Sequence, residues 1–89
     1  MKHVLILLFS LSLVFKGLGQ TAKQYFERGV SKTLFGDERG AIADFTKAIE
    51  IDPQFVSAYQ NRGRAKFYLE DYRGVIADYT MAIEIDPQD

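Results

Sequence analysis

The sequence predicts an all-α fold: two helix–turn–helix units stacked into a short solenoid. Three observations predict it. First, the segment Gly74–Gln88 (GVIADYTMAIEIDPQ) replays Gly40–Gln54 (GAIADFTKAIEIDPQ) position for position. Extended to its limits, the match sets 22–55 against 56–89, and 18 of the 34 pairs are identical. A period of this size marks a unit too small to bury its own apolar face, so the copies must stack. Second, Ala41, Ile42, Phe45, Ala48 and Ile49 recur at spacings of three and four, which is one face of a helix. Third, an Asp-Pro pair closes each copy, at Asp52-Pro53 and Asp86-Pro87. Nothing reads as strand or as low-complexity linker. A chain organised in this way is expected to be a scaffold, not an enzyme.

Residues 1–19 stand apart as an expected signal peptide. Met1-Lys2-His3 is a short basic start, and Val4 to Phe15 is an apolar run broken only by Ser10 and Ser12. Gly17-Leu18-Gly19 then places small residues at alternate positions, as a signal peptidase requires. As a helix the run is about 18 Å long, against a hydrocarbon core of roughly 30 Å, so it is short for a stable membrane span. Cleavage after Gly19 is the favoured expectation. An uncleaved anchor and a cytosolic apolar helix are the alternatives. No cysteine follows the run, which excludes a lipid-modified N-terminus. The mature chain is then 20–89, exported to the periplasm or secreted.

Thr21-Ala22-Lys23-Gln24 fits a capping box, with Thr21 as N-cap and Gln24 three residues on. The helix opened there runs to about Phe35, where Gly36-Asp37 stops it. Asp37 caps a second helix over about 38–51. The second unit follows the same plan. A helix over about 54–68 is followed by a turn at Leu69-Glu70-Asp71 and a helix over about 72–85. Gly36 has become Glu70, which argues against a positive φ in the second turn. Gly29 and Gly63 fall mid-helix, where each costs about 1 kcal/mol relative to Ala. Their recurrence predicts close helix contact, with Ala48 and Ala82 as the opposing surfaces. The aromatics Tyr25, Phe45, Tyr59 and Tyr79 fill the space on either side as core.

Composition narrows the function. Without 1–19, Lys2 and Lys16 leave, so basic residues fall from 11 to 9 while acids stay at 12, a net charge of 9 − 12 = −3. That balance gives no electrostatic case for nucleic acid or an anionic membrane surface. The only histidine, His3, lies in the leader, and there is no Cys or Trp. No disulfide braces the remainder, whose length of about 70 residues is near the lower limit for a stable single core.

These residues together resemble the tetratricopeptide repeat, a helix–turn–helix unit of about 34 residues. Its pattern of aromatic, Gly, Ala, aromatic, Ala and Pro falls on Tyr25, Gly29, Ala41, Phe45, Ala48 and Pro53. In the second unit it falls on Tyr59, Gly63, Val75, Tyr79, Ala82 and Pro87. Val75 stands where Ala is usual. Arg28 and Arg62 stand where the family often has Leu, and Lys32 and Lys66 where Tyr is common. The stretch is similar to exported bacterial members, and the resemblance covers 22–89.

The resemblance implies a right-handed superhelix whose first helices line a concave, partner-binding groove. Here that groove presents Lys23, Phe26, Val30, Thr33 and Leu34 from the first unit. Ser57, Gln60, Arg64, Phe67 and Tyr68 come from the second. Some members clamp a peptide's terminal carboxylate from this surface with Lys and Asn. Asn61 matches that clamp, but Phe26 and Val30 occupy places where it needs polar groups.

Chemistry elsewhere is thin. Metal sites want His, Cys or clustered carboxylates. The pairs Asp37-Glu38 and Glu70-Asp71 read as helix caps instead. Asp44 and Asp78 each follow an arginine by five positions (Arg39, Arg73), which suggests a surface or inter-repeat ion pair. Ser31 and Ser57 have no histidine to activate them. No cofactor is implied. The favoured reading is a non-catalytic adaptor that binds an unidentified protein or peptide in its groove. The alternative is a structural fragment of a longer array. In that case the uncapped last helix, with Ile76, Tyr79 and Ile83, stacks on further units or self-associates.

Overall fold

The computed structural model describes residues 20–88, so the expected signal peptide at 1–19 lies outside the described residues. Four helices follow in order: α1 (Ala22–Leu34), α2 (Glu38–Ile51), α3 (Val56–Tyr68) and α4 (Tyr72–Ile85). Each packs on its neighbour in sequence, and α1 also touches α3. The first helices of the two units therefore lie side by side. Among the described residues no strand is present, and no helix is long and apolar enough to cross a membrane.

Local chemistry fixes the helix starts. Thr21 and Gln24 form the expected capping box. Thr21 Oγ1 accepts from the Gln24 N–H at 3.1 Å, and Gln24 Oε1 accepts from the Thr21 N–H at 2.8 Å. Asp37 and Asp71 cap α2 and α4 by accepting from the N–H groups of Gly40 and Gly74, at 2.9 and 3.1 Å. The helix α3 begins at Val56, later than the expected start near 54. Asp52 Oδ1 accepts from the Gln54 N–H at 3.0 Å and holds the chain in a turn around Pro53. Phe55 then takes the N-cap position without a side-chain cap.

The two intra-unit turns are the same turn, which corrects the expectation for Glu70. Gly36 has φ +80°, and Glu70 has φ 63°. The Asp37 N–H donates to Lys32 O at 2.8 Å, and the Asp71 N–H to Lys66 O at 2.9 Å. Gly36 and Glu70 donate one step inside these bonds, to Thr33 O and Phe67 O. This is a Schellman closure, which needs a left-handed residue beyond the helix end. Glu70 is exposed and takes the left-handed turn position that glycine fills in the first unit.

The core holds Ala41, Phe45, Ala48, Ala58, Tyr59, Ala65 and Ala82. Phe45 is fully enclosed and Phe26 packs against it at 5.7 Å. Tyr59 donates its hydroxyl to Pro53 O at 3.0 Å, tying α3 to the loop before it. The mid-helix glycines do make close contacts, but not against Ala48 and Ala82. A Cβ on Gly29 would lie 2.5 Å from Phe45 Cε1, inside the ring's own space. A Cβ on Gly63 would meet Asp78 Cβ at 3.3 Å and Tyr79 at 3.4 Å, a much looser fit.

Asp44 and Asp78 are neither surface groups nor inter-repeat partners. Their side chains are almost fully buried, and their partners are not Arg39 and Arg73. Within unit two, Arg62 Nη2 meets Asp78 Oδ1 at 2.7 Å, and Lys66 Nζ meets Oδ2 at 3.0 Å. Within unit one, Lys32 Nζ meets Asp44 Oδ2 at 2.9 Å, with Arg28 Nε at 3.7 Å. The Arg and Lys that depart from the family pattern are thus explained by an Asp beneath them, since a buried charge needs a paired one.

Candidate functional site

The groove is built by α1 and α3, with α2 as part of its floor. A cleft of about 140 Å³ is lined by Val30, Thr33 and Leu34 of α1, Phe45 of α2, and Asn61 and Arg64 of α3. Helical spacing explains the convergence. Val30, Thr33 and Leu34 lie three and four apart on one face of α1, and Asn61 and Arg64 lie three apart on α3. Thr33 Oγ1 donates to Gly29 O at 3.0 Å, so its hydroxyl proton is already used inside α1. Leu34 is 79% exposed and forms an apolar lip.

Not every expected groove residue reaches this cleft. Phe26 is half-buried, with its ring 4.9 Å from Phe55 and 5.7 Å from Phe45. It props the α2–α3 loop against α1 and belongs to the packing. Lys23 is exposed near the start of α1 and paired with Glu27 at 3.9 Å. Ser57 is exposed near the start of α3, and Gln60 is half-buried one turn on.

Phe67 and Tyr68 lie at the end of α3, outside the lining of this cleft, and are 54% and 63% exposed. Their rings meet edge-on at 6.0 Å. Tyr72, at the start of α4, adds a third exposed ring 5.8 Å from Phe67. Sequence reading does not single out Tyr72. Its one signal is an aromatic at a helix start where the first unit carries Glu38.

The arrangement offers apolar contact, a guanidinium and a carboxamide. Arg64 is exposed and makes no ion pair with the described residues. The other arginine of α3 is committed to the fold. Arg62 has its pKa raised, chiefly by its hydrogen bond to Asp78, against an opposing effect of burial. No group of three or more His, Cys, Asp or Glu able to hold a metal exists among the described residues.

Compared with curated proteins, the chain finds no match. The sequence pattern of the tetratricopeptide repeat matches it twice, over residues 25–55 and 56–89. Four helices in two repeated units, the paired turns and this double match agree: the chain belongs to the tetratricopeptide repeat family.

Proposed function

We propose that the chain is a non-catalytic adaptor that holds a peptide or protein segment in the groove between α1 and α3. Tetratricopeptide repeats are in general modules of protein–protein interaction. The observation that carries the reading is the juxtaposition of Arg64 and Asn61 in the cleft with the exposed rings of Phe67 and Tyr68 beyond it. Aromatic and Arg side chains are the residues that anchor interfaces. They also stand where the two units differ, since Phe67 replaces Thr33 and Arg64 replaces Val30. Packing positions repeat because packing repeats, while groove positions diverge toward one partner. Export to the periplasm or the outside is part of this proposal.

The test is selection of binding peptides on the immobilised chain, followed by alanine at Arg64, Phe67 and Tyr68. Loss of capture with unchanged helicity supports the groove. Retained capture moves the site elsewhere. A second reading, a scaffold that extends by stacking, is favoured by one observation. Ile76 and Ile83 of α4 are 67% and 58% exposed.

A further inference from the structure

Arg64 is the charged residue that lines the cleft between α1 and α3, and its own helix leaves it free. The positions of α3 that lie three and four residues from it are Gln60, Asn61, Phe67 and Tyr68. None of them carries a charge. Two other exposed cations do find an acid at this spacing, Lys23 on Glu27 and Lys47 on Glu50. The first unit even carries Glu27 at the position where the second has Asn61. A carboxylate there would neutralise Arg64 from within α3, and the second unit replaces it with a neutral amide.

The cleft is therefore positive, although the chain has a formal net charge of −1. Its other lining residues, Val30, Thr33, Leu34, Phe45 and Asn61, are uncharged. Charges more than about 8 Å away are largely screened at physiological salt, so Arg64 sets the preference at this spot. Thr33 donates its hydroxyl proton to Gly29 O. The free donors facing the cleft are then the Arg64 guanidinium and the Asn61 amide. A negatively charged group with oxygen acceptors satisfies both. The guanidinium fork matches a carboxylate with two parallel bonds, which a compact ammonium does not.

Shape and surroundings say where in a ligand that carboxylate sits. The space of about 140 Å³ is below the roughly 300 Å³ of a small-molecule pocket and is on the scale of one side chain. Apolar surface flanks Arg64 on both sides. Leu34 is exposed on α1, and Tyr68 is exposed one turn further along α3, next to Phe67. A segment that rests on both flanks has its acid in its interior, not at its end.

We infer that the cleft takes the side-chain carboxylate of an Asp or Glu within the bound segment, held by Arg64 and Asn61, with apolar neighbours on Leu34 and Tyr68. This inference rests on the groove reading and narrows it to an acidic segment with apolar flanks. Segments with a neutral or basic residue at that place bind more weakly.

The experiment presents the immobilised full chain with libraries of short peptides, acetylated and amidated so that no terminal carboxylate is present. The central position is fixed as Glu, Asp, Gln or Lys, and the flanks are drawn from apolar and small polar residues. A further library has central Gln and a free C-terminus. The Glu and Asp libraries should be retained about fivefold more than the amidated Gln library, and the Lys library least. Raising the salt should shrink that difference. Arg64→Gln should abolish the preference, and Arg64→Glu should turn it toward Lys. Asn61→Glu should also abolish it, by supplying a carboxylate within α3. Arg64 is exposed and without an ion pair among the described residues, so helicity by circular dichroism should hold. Equal retention of all libraries overturns the acid assignment. If that retention is lost on Phe67→Ala and Tyr68→Ala, the groove reading stands; if it persists, that reading falls too. Retention of no library overturns both. An acid preference that survives Arg64→Gln places the carboxylate elsewhere and overturns the site. Enrichment of the free C-terminus library alone gives the cleft to a chain end and overturns the side-chain assignment.

Discussion

Arg62 and Asp78 form a two-pronged ion pair between α3 and α4. Nη2 lies 2.7 Å from Oδ1, and Nε lies 2.9 Å from Oδ2. The Asp78 side chain is 3% exposed and the Arg62 side chain 17%. Removing the guanidinium leaves the buried carboxylate on Lys66 alone, with Oδ1 unpaired. Arg62→Leu should destabilise the fold by about 3 kcal/mol. Arg28→Leu should cost less than about 1 kcal/mol, because Arg28 is half exposed and Lys32 holds Asp44 alone. Urea titrations of the two variants should show this asymmetry; equal losses would refute it.

The same pair sets a pH expectation. The folded-state pKa of Arg62 is raised by the bond to Asp78. A raised pKa means the contribution is fully present below the unfolded-state value and is lost only as pH rises through the folded-state value. Arg62 should therefore add no slope to stability across the neutral range. Comparing Arg62→Leu with the parent chain across neutral and mildly alkaline pH should give a constant difference.

Glu70→Gly should stabilise the second unit. Glu70 holds a left-handed φ of 63° that costs a side-chain-bearing residue of order 1 kcal/mol. Part of that gain is offset by the greater freedom of glycine in the unfolded chain. The net expectation is a gain of up to about 1 kcal/mol, with the converse loss for Gly36→Glu. Thermal melts of the pair decide it, and a lowered melting temperature for Glu70→Gly would count against the turn.

Gly29→Ala and Gly63→Ala should part company. The first drives a methyl into the Phe45 ring and should cost about 1–3 kcal/mol. The second meets near-normal contacts at 3.3–3.5 Å. There the helix-propensity gain of up to about 1 kcal/mol largely offsets the crowding. Similar losses at both sites would mean the two crossings are equally tight.

Much of this fold is legible in the sequence. The internal period defines the unit, and Thr21, Asp37 and Asp71 define helix starts, because caps are local chemistry. The start of α3 is harder to place because it depends on how Asp52 and Pro53 fold back under Phe55. The Glu70 turn escapes sequence reading because a glycine-to-glutamate change is judged by local strain, whereas the backbone bonds from Glu70 and Asp71 to Phe67 O and Lys66 O close the turn all the same. The ion clusters escape it for a related reason. Arg39 and Arg73 are near Asp44 and Asp78 along the chain, but the true partners lie on the facing helix, well upstream. The joint recurrence of Arg28, Lys32 and Asp44 as Arg62, Lys66 and Asp78 is the available signal. The convergence of Val30, Thr33, Leu34, Asn61 and Arg64 on one cleft is legible, because helical spacing gathers them. The inward turn of Phe26 is not, since an aromatic at a groove position reads the same whether it faces out or in.

Processing at Gly19 is open to direct measurement. Under the proposed export, intact-mass analysis of the chain should show loss of residues 1–19, with Gln20 free to cyclise. Intact Met1-Lys2-His3 in the envelope fraction would favour an anchor instead.

The arm of Arg62 that reaches Thr46 spans three helices: it leaves α3, is gripped by α4 and rests on α2. A residue gripped in that way makes unfolding indivisible. If α2 peels away, water reaches the guanidinium and, through it, the carboxylate that depends on being dry. Loss of the first unit is thereby felt inside the second, although the cations paired with Asp78 both belong to the second. Pairwise stacking alone would let such a short array fray from either end. This shared side chain instead couples the two units, so hydrogen exchange in α2 and α4 should report one common opening event.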